Sequence, residues 1–216
     1  MELKSVAHDN DFYDAINDLQ EYEEKVPRAF IPTLFNVAAD TRELRYGAVR
    51  ATHEFYQGWT TAPEQYQSDN DMKQAVQALL NPATLLDLLK HFVFYEEQPD
   101  QDAKIIPRHM QYYAVKRILE RVDRGEHRKG LIWHTQGSGK SFTMLFTAKN
   151  LLDRDILDAP QLFVVVDTDK LNSQMRDQLA NLSLEQWTEA KSIEGLEDTI
   201  AGGRSELVVT TVQTFQ

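Results

Sequence analysis

The sequence predicts an α/β fold whose second half is built on a doubly wound parallel sheet. Three observations carry that expectation. Beyond residue 104, short apolar runs alternate with stretches of helical period. Leu162-Phe163-Val164-Val165-Val166-Asp167 is apolar up to its terminal acid, as expected of a buried parallel strand. Finally, Leu131-Ile132-Trp133-His134-Thr135-Gln136-Gly137-Ser138-Gly139-Lys140-Ser141 reads as a strand running into a glycine-rich turn that ends in Lys-Ser and opens a helix. That is the layout of a phosphate-binding loop.

In chain order, Glu2-x-Lys4 lies on a short strand at the start of the chain. Residues 11–24 repeat apolar side chains (Phe12, Ala15, Ile16, Leu19, Tyr22) every three to four positions, which predicts a helix, and Pro27 stops it. Residues 35–39 and 44–49 are expected strands around a turn at 40–42. Residues 60–71 are polar and read as a loop. Residues 72–80 and 84–94 are expected helices, the second with Pro82 near its start. The acidic, proline-containing stretch 96–104 is the expected domain boundary. After it come a helix over 108–123, a strand over 131–134, the glycine turn, and helix 141–153. Strand 162–167, helix 169–181, a short helix near 194–201 and strand 207–211 complete the series. No internal repeat or low-complexity tract interrupts it.

The chemistry of the loop follows from its residue types. Gly137 and Gly139 let the backbone curl so that successive N–H groups face an anion. The helix that follows brings its positive end to the same place. Lys140 would reach the outer phosphates of a nucleotide, and Ser141 would ligate Mg²⁺. One position departs from the general pattern: His134 stands where a glycine five residues before Gly139 is usual. The bland alternative is a glycine turn with an incidental lysine.

Composition narrows the class. Across 216 residues, 42% hydrophobic and 26% charged is ordinary for a globular chain. Cysteine is absent, which excludes disulfides and thiolate metal sites and fits a reducing cytoplasm. No apolar run approaches membrane-spanning length, and the acidic start lacks a signal-peptide core. The net charge is −11, concentrated in residues 1–100, with 8 Lys and Arg against 18 Asp and Glu. Residues 101–216 are near balance, at 15 against 16. Bulk charge therefore weighs against nucleic acid as a partner, although local arrangement can override it.

Further constellations recur in a telling order. Arg108 to Ala114 places Gln111 twenty-nine residues before Lys140, where its amide could read adenine; a surface glutamine on an amphipathic helix is the plainer reading. Val164 through Gln174 puts polar groups at the carboxyl end of a strand, where α/β sheets bind ligands. Val208 through Phe215 does the same, with hydroxyls suited to phosphate contacts. At the start of the chain, Glu2 could ligate Mg²⁺ while Lys4 polarises a scissile phosphate, a pattern that also arises often by chance. The six histidines show no metal spacing.

Taken together, these stretches resemble the motor (R) subunit of type I restriction enzymes. Trp133 through Met144, with its His-Thr-Gln lead-in, is similar to that family's phosphate-loop signature. Val165-Val166-Asp167 with Leu171 and Gln174, and Thr210-Thr211-Val212-Gln213 with Phe215, resemble the next two helicase motifs. Arg108, Gln111 and Ala114 resemble the adenine-reading motif, and Glu2-Leu3-Lys4-Ser5 the second half of the Mg²⁺-dependent nuclease motif. The family then carries Gln-x-x-x-Tyr on a helix. Here Tyr22 matches, but Asp18 stands in the glutamine position. The resemblance covers nearly the whole chain, apart from 60–71 and 183–205.

The resemblance implies a partial restriction-endonuclease-like nuclease domain (1–60), a helical linker region (61–104) and the first part of a RecA-like helicase lobe with a parallel sheet (105–216). It implies ATP and Mg²⁺ as cofactors, with Gln111, Gly137, Ser138, Gly139, Lys140 and Ser141 at the nucleotide and Ser141 on its metal. It further implies Glu2, Lys4 and Tyr22 as nuclease residues, with Glu2 as a metal ligand. Double-stranded DNA and the methylation and specificity subunits are the implied partners. No acidic pair ends an apolar strand after Lys140, so the expectation is an internal or N-terminal fragment that binds ATP without hydrolysing it. Two rivals remain: a catalytically dead nucleotide-binding remnant, and a small P-loop ATPase or kinase using Asp167 on the metal.

Overall fold

A computed structural model describes residues 1–4, 12–40, 43–60, 72–96, 103–182, 184 and 186–215. These form two units, Met1–Tyr113 and Ala114–Gln216. Residues 61–71 of the expected polar loop 60–71 and most of the acidic stretch 96–104 lie outside the described residues.

In the first unit, β1 (Glu2–Leu3), β2 (Asn36–Ala39) and β3 (Leu44–Gly47) form one sheet in that order, β1 parallel and β3 antiparallel to β2. Helix α1 (Phe12–Lys25) covers it. The three-to-four spacing puts Ala15, Ile16 and Leu19 on one buried face, packed with Ala38 and Tyr56. Buried Glu23, on the same helix, accepts from the Asn36 amide and from the backbone N–H of Arg50 at 3.0 Å. That carboxylate anchors Arg50 in a left-handed conformation, φ 68°. At Gly47 a side chain is excluded by space, because a Cβ would lie 2.8 Å from the Tyr56 ring.

Helix α2 (Pro27–Phe30) follows Pro27, as its fixed φ favours. Helix α3 (Met72–Leu79) matches expectation, whereas α4 (Pro82–His91) starts two residues before the expected 84–94 and ends three residues short of it, leaving Phe94 to a strand. Asn81 caps α4, accepting from the Ala83 N–H at 2.9 Å, with Pro82 in the first turn. The two ends of the stretch 96–104 lie in a two-stranded antiparallel ribbon, β4 (Phe94–Glu96) with β5 (Ala103–Ile105). Strands of three residues are too short to show a period. Trp59, 1% exposed, packs with Tyr46 and Tyr112 at 5.3 and 5.4 Å between ring centroids.

Helix α5 (His109–Arg124) begins in the first unit and ends in the second. In the second unit, α6 (Lys140–Asp153), β6 (Gln161–Val166), α7 (Asp169–Asn181), β7 (Trp187–Glu189), α8 (Ile193–Gly202), β8 (Glu206–Thr211) and α9 (Val212–Phe215) alternate along the chain. The strands are all parallel, in the order β6-β8-β7. β8 is central, and Leu207, Val208, Val209 and Thr210 are fully buried.

Two expectations are corrected here. β6 is as apolar as β8 but, among the described residues, pairs on one side only, so its residues are mostly half-buried and Val165 is 39% exposed. The anticipated strand at 131–134 does not form. Among the described residues it has no ladder partner, and a strand exists only through its ladder. Leu131 and Trp133 stand 87% and 86% exposed.

Candidate functional site

The glycine turn is built as its residue types dictate. Gly137 and Gly139 both adopt left-handed backbone, φ 79° and 74°. Nothing lies within 4 Å of where a Gly137 Cβ would sit, so its dihedral rather than crowding selects glycine there. His134 is not among the positive-φ residues, so its departure from the usual glycine costs the turn nothing. The turn closes through the Ser138 N–H donating to Thr135 O, 3.4 Å.

Gly139 is the N-cap of α6, and no side chain caps that helix. By contrast, Thr168 caps α7 and Ser192 caps α8. An uncapped helix start following a curled, glycine-rich turn presents backbone donors and a positive dipole end in one place. The Lys140 ammonium donates to the carbonyls of His134 and Thr135, at 3.0 and 2.7 Å. It therefore rests on neutral acceptors that an anion can displace. Burial, with the Lys140 charge beside it, pushes the His134 pKa down. Ser141 sits half-buried in the first turn of α6.

Gln111 lies in the first unit and the glycine turn in the second. It is 3% exposed, and its Oε1 accepts from the Arg108 backbone N–H at 2.8 Å. Three residues into α5, this is the glutamine half of a capping box, a local role the sequence reading had not assigned. The hydroxyls of strand β8 are also committed: Thr210 donates to Ala190 O at 3.0 Å and Thr211 pairs with Thr214 at 3.2 Å. Thr210 is fully buried, so its hydroxyl is not offered to a phosphate backbone.

The N-terminal constellation is tighter than its sequence spacing suggests. The Lys4 ammonium is bonded to Asp18 on α1 and lies 3.6 Å from Glu2. The hydrogen bond that Lys4 donates to Asp18 and the nearby carboxylate charges raise the Lys4 pKa. Asp18, read from sequence only as a departure, is thus the residue that holds Lys4. Tyr22, one turn along, is 45% exposed. Among the described residues, no group of three or more His, Cys, Asp and Glu could hold a metal ion, so Glu2 and Asp18 fall short of a complete metal site.

Comparison with known proteins finds what this chain is similar to. The SWI2/SNF2 ATPase family matches residues 110–216, the stretch that contains the glycine turn and the parallel sheet. The type I restriction enzyme HindI endonuclease subunit of Haemophilus influenzae is 30% identical over 186 residues, covering 81% of this chain and 18% of that protein. The MjaIXP endonuclease subunit of Methanocaldococcus jannaschii is 28% identical, covering 99% of this chain and 23% of its own length. A Staphylococcus saprophyticus counterpart is 23% identical over 77% of the chain. The chain is homologous to the endonuclease subunits of type I restriction enzymes and spans less than a quarter of the length of these relatives.

Proposed function

We propose that this chain forms the ATP-binding front of the motor in an ATP-dependent, DNA-translocating type I endonuclease subunit. The carrying observation is the glycine turn: two left-handed glycines, an uncapped α6 and a lysine held, among the described residues, by its own loop's carbonyls. These residues fit a nucleotide triphosphate. Gly137, Ser138 and Gly139 would cradle its phosphates, Lys140 would exchange carbonyls for phosphate oxygens, and Ser141 would hold Mg²⁺. Gln111 would read adenine through its amide. Bound ATP supplies the phosphoanhydride energy for movement, with Mg²⁺ neutralising its charge.

Residues 1–60 are assigned to a nuclease-type domain carrying Glu2, Lys4 and Tyr22, residues 61–104 to a helical linker region, and 105–216 to the first RecA-like lobe. Double-stranded DNA is the substrate, the methylation and specificity subunits are the partners, and the cytoplasm is the compartment. Among the described residues, no Asp-Glu pair closes an apolar strand after Lys140. The chain alone is therefore expected to bind ATP without turning it over.

Calorimetric titration with ATP and Mg²⁺ tests this. Lys140→Ala should weaken binding at least about tenfold, roughly 1.4 kcal/mol. Unchanged affinity would sink the nucleotide assignment. Asp167, exposed at the end of β6, provides the second test. Phosphate release by the chain that disappears in Asp167→Ala would favour a small self-sufficient ATPase instead.

A further inference from the structure

Against a net charge of −11, residues 116–129 hold six Lys and Arg and only three Asp and Glu. Arg117, Arg121 and Arg124 follow at intervals of four and three, which puts them on one face of α5. Arg128 extends the series beyond the helix, and all four are exposed. Arg117, Arg121 and Arg124 line a groove of ≈ 270 Å³ together with Glu120, Glu126 and His127. Basic residues at a helix C-terminus answer the dipole, but that end carries only about half a charge. One arginine suffices for it.

The groove's internal contacts divide its arginines. Arg121 donates to Lys129 O at 2.7 Å and fixes the chain that leads toward the glycine turn. Arg124 pairs with Glu120, but the two side chains are 60% and 58% exposed, so the pair contributes little and exchanges readily.

We propose that this arginine stripe is a contact surface for the sugar-phosphate backbone of duplex DNA. It rests on the DNA-translocating reading above and adds where this chain grips the duplex. Seven helical residues rise about 10 Å, against roughly 3.4 Å of axial rise per phosphate on one strand, so the stripe matches a run of phosphates. Guanidinium groups meet phosphate oxygens in pairs, favouring this use over a diffuse basic surface. Such contacts position the duplex without reading its sequence.

The test is fluorescence anisotropy of a labelled duplex of about 30 base pairs with the whole chain, across about 50–200 mM salt. The triple variant Arg117→Ala, Arg124→Ala, Arg128→Ala should bind at least about tenfold more weakly, with a salt slope shallower by about two to three. Arg121 is left in place because it holds Lys129. Glu120→Gln should tighten binding by freeing Arg124. Equal affinity and slope for the triple variant would overturn the proposal. Competition by poly-glutamate as effective as by unlabelled duplex would also overturn it, in favour of an acidic protein partner. If the unaltered chain binds no duplex, both the surface and the DNA reading fall. ATP binding by the triple variant, expected to be unchanged, judges the glycine turn separately.

Discussion

Two lysines, Lys4 and Lys140, are held in opposite ways. Lys140 rests on two backbone carbonyls, neutral groups that leave its charge uncancelled. Lys4 is bonded to the Asp18 carboxylate with Glu2 beside it, so its charge is already met within the protein. A cation on neutral acceptors is ready for an incoming anion, while a cation between carboxylates is occupied. Glycine turn and N-terminal cluster thus differ in readiness, although each presents one lysine.

The largest expected effect is on labelling of the two amines. An amine-reactive reagent should modify Lys140 readily, and saturating ATP with Mg²⁺ should suppress that modification. Lys4 labelling should be slow and indifferent to nucleotide. Mass spectrometry of the modified peptides checks this, and equal protection of both lysines would erase the distinction. Next, Asp18→Asn should speed labelling of Lys4 and leave Lys140 unchanged. The same variant should not create nuclease activity, since among the described residues no group of three or more His, Cys, Asp and Glu could hold a metal ion. Plasmid nicking with Mg²⁺ alone, lost in Lys4→Ala, would contradict the second clause.

Smaller effects follow from pH, with opposite signs at the two sites. A lysine whose pKa is raised by its partner stabilises the fold fully below the ordinary lysine range and loses that contribution as pH climbs through the raised value. The melting difference between the unaltered chain and Asp18→Asn should therefore close on the alkaline side. His134 has a depressed pKa, so the unfolded chain takes up its proton first and stability falls as pH drops through the ordinary histidine range. Phosphates placed on Lys140 should bring the His134 pKa back up. An NMR titration of its ring protons with and without ATP measures the shift, and no movement would detach His134 from the nucleotide site.

The contrast between the sites also explains what could be read from sequence. The glycine turn is written in contiguous residues, and its conformation depends on local backbone rules, so Gly137, Gly139 and Lys140 were legible at once. Helix α7 was likewise legible to the residue, because a cap at Thr168 and a sustained period mark it. The Lys4 pairing joins residues fourteen apart across a helix and a strand, and nothing local announces it. β7 and the β4–β5 ribbon were missed because three residues carry no period. The error at 131–134 and the overstated burial of β6 share one cause. Apolar sequence records a tendency to pair, whereas burial depends on how many neighbours the strand acquires. β6 acquired one, and 131–134 none among the described residues.

That bare apolar segment gives the molecule a built-in optical reporter. Trp133 stands in water four residues before Gly137, while Trp59 is sealed in the first unit. A dissolved quencher such as iodide will reach the first indole and not the second. Its emission will respond to whatever settles on the neighbouring turn, or on the uncovered stretch itself, without any added dye.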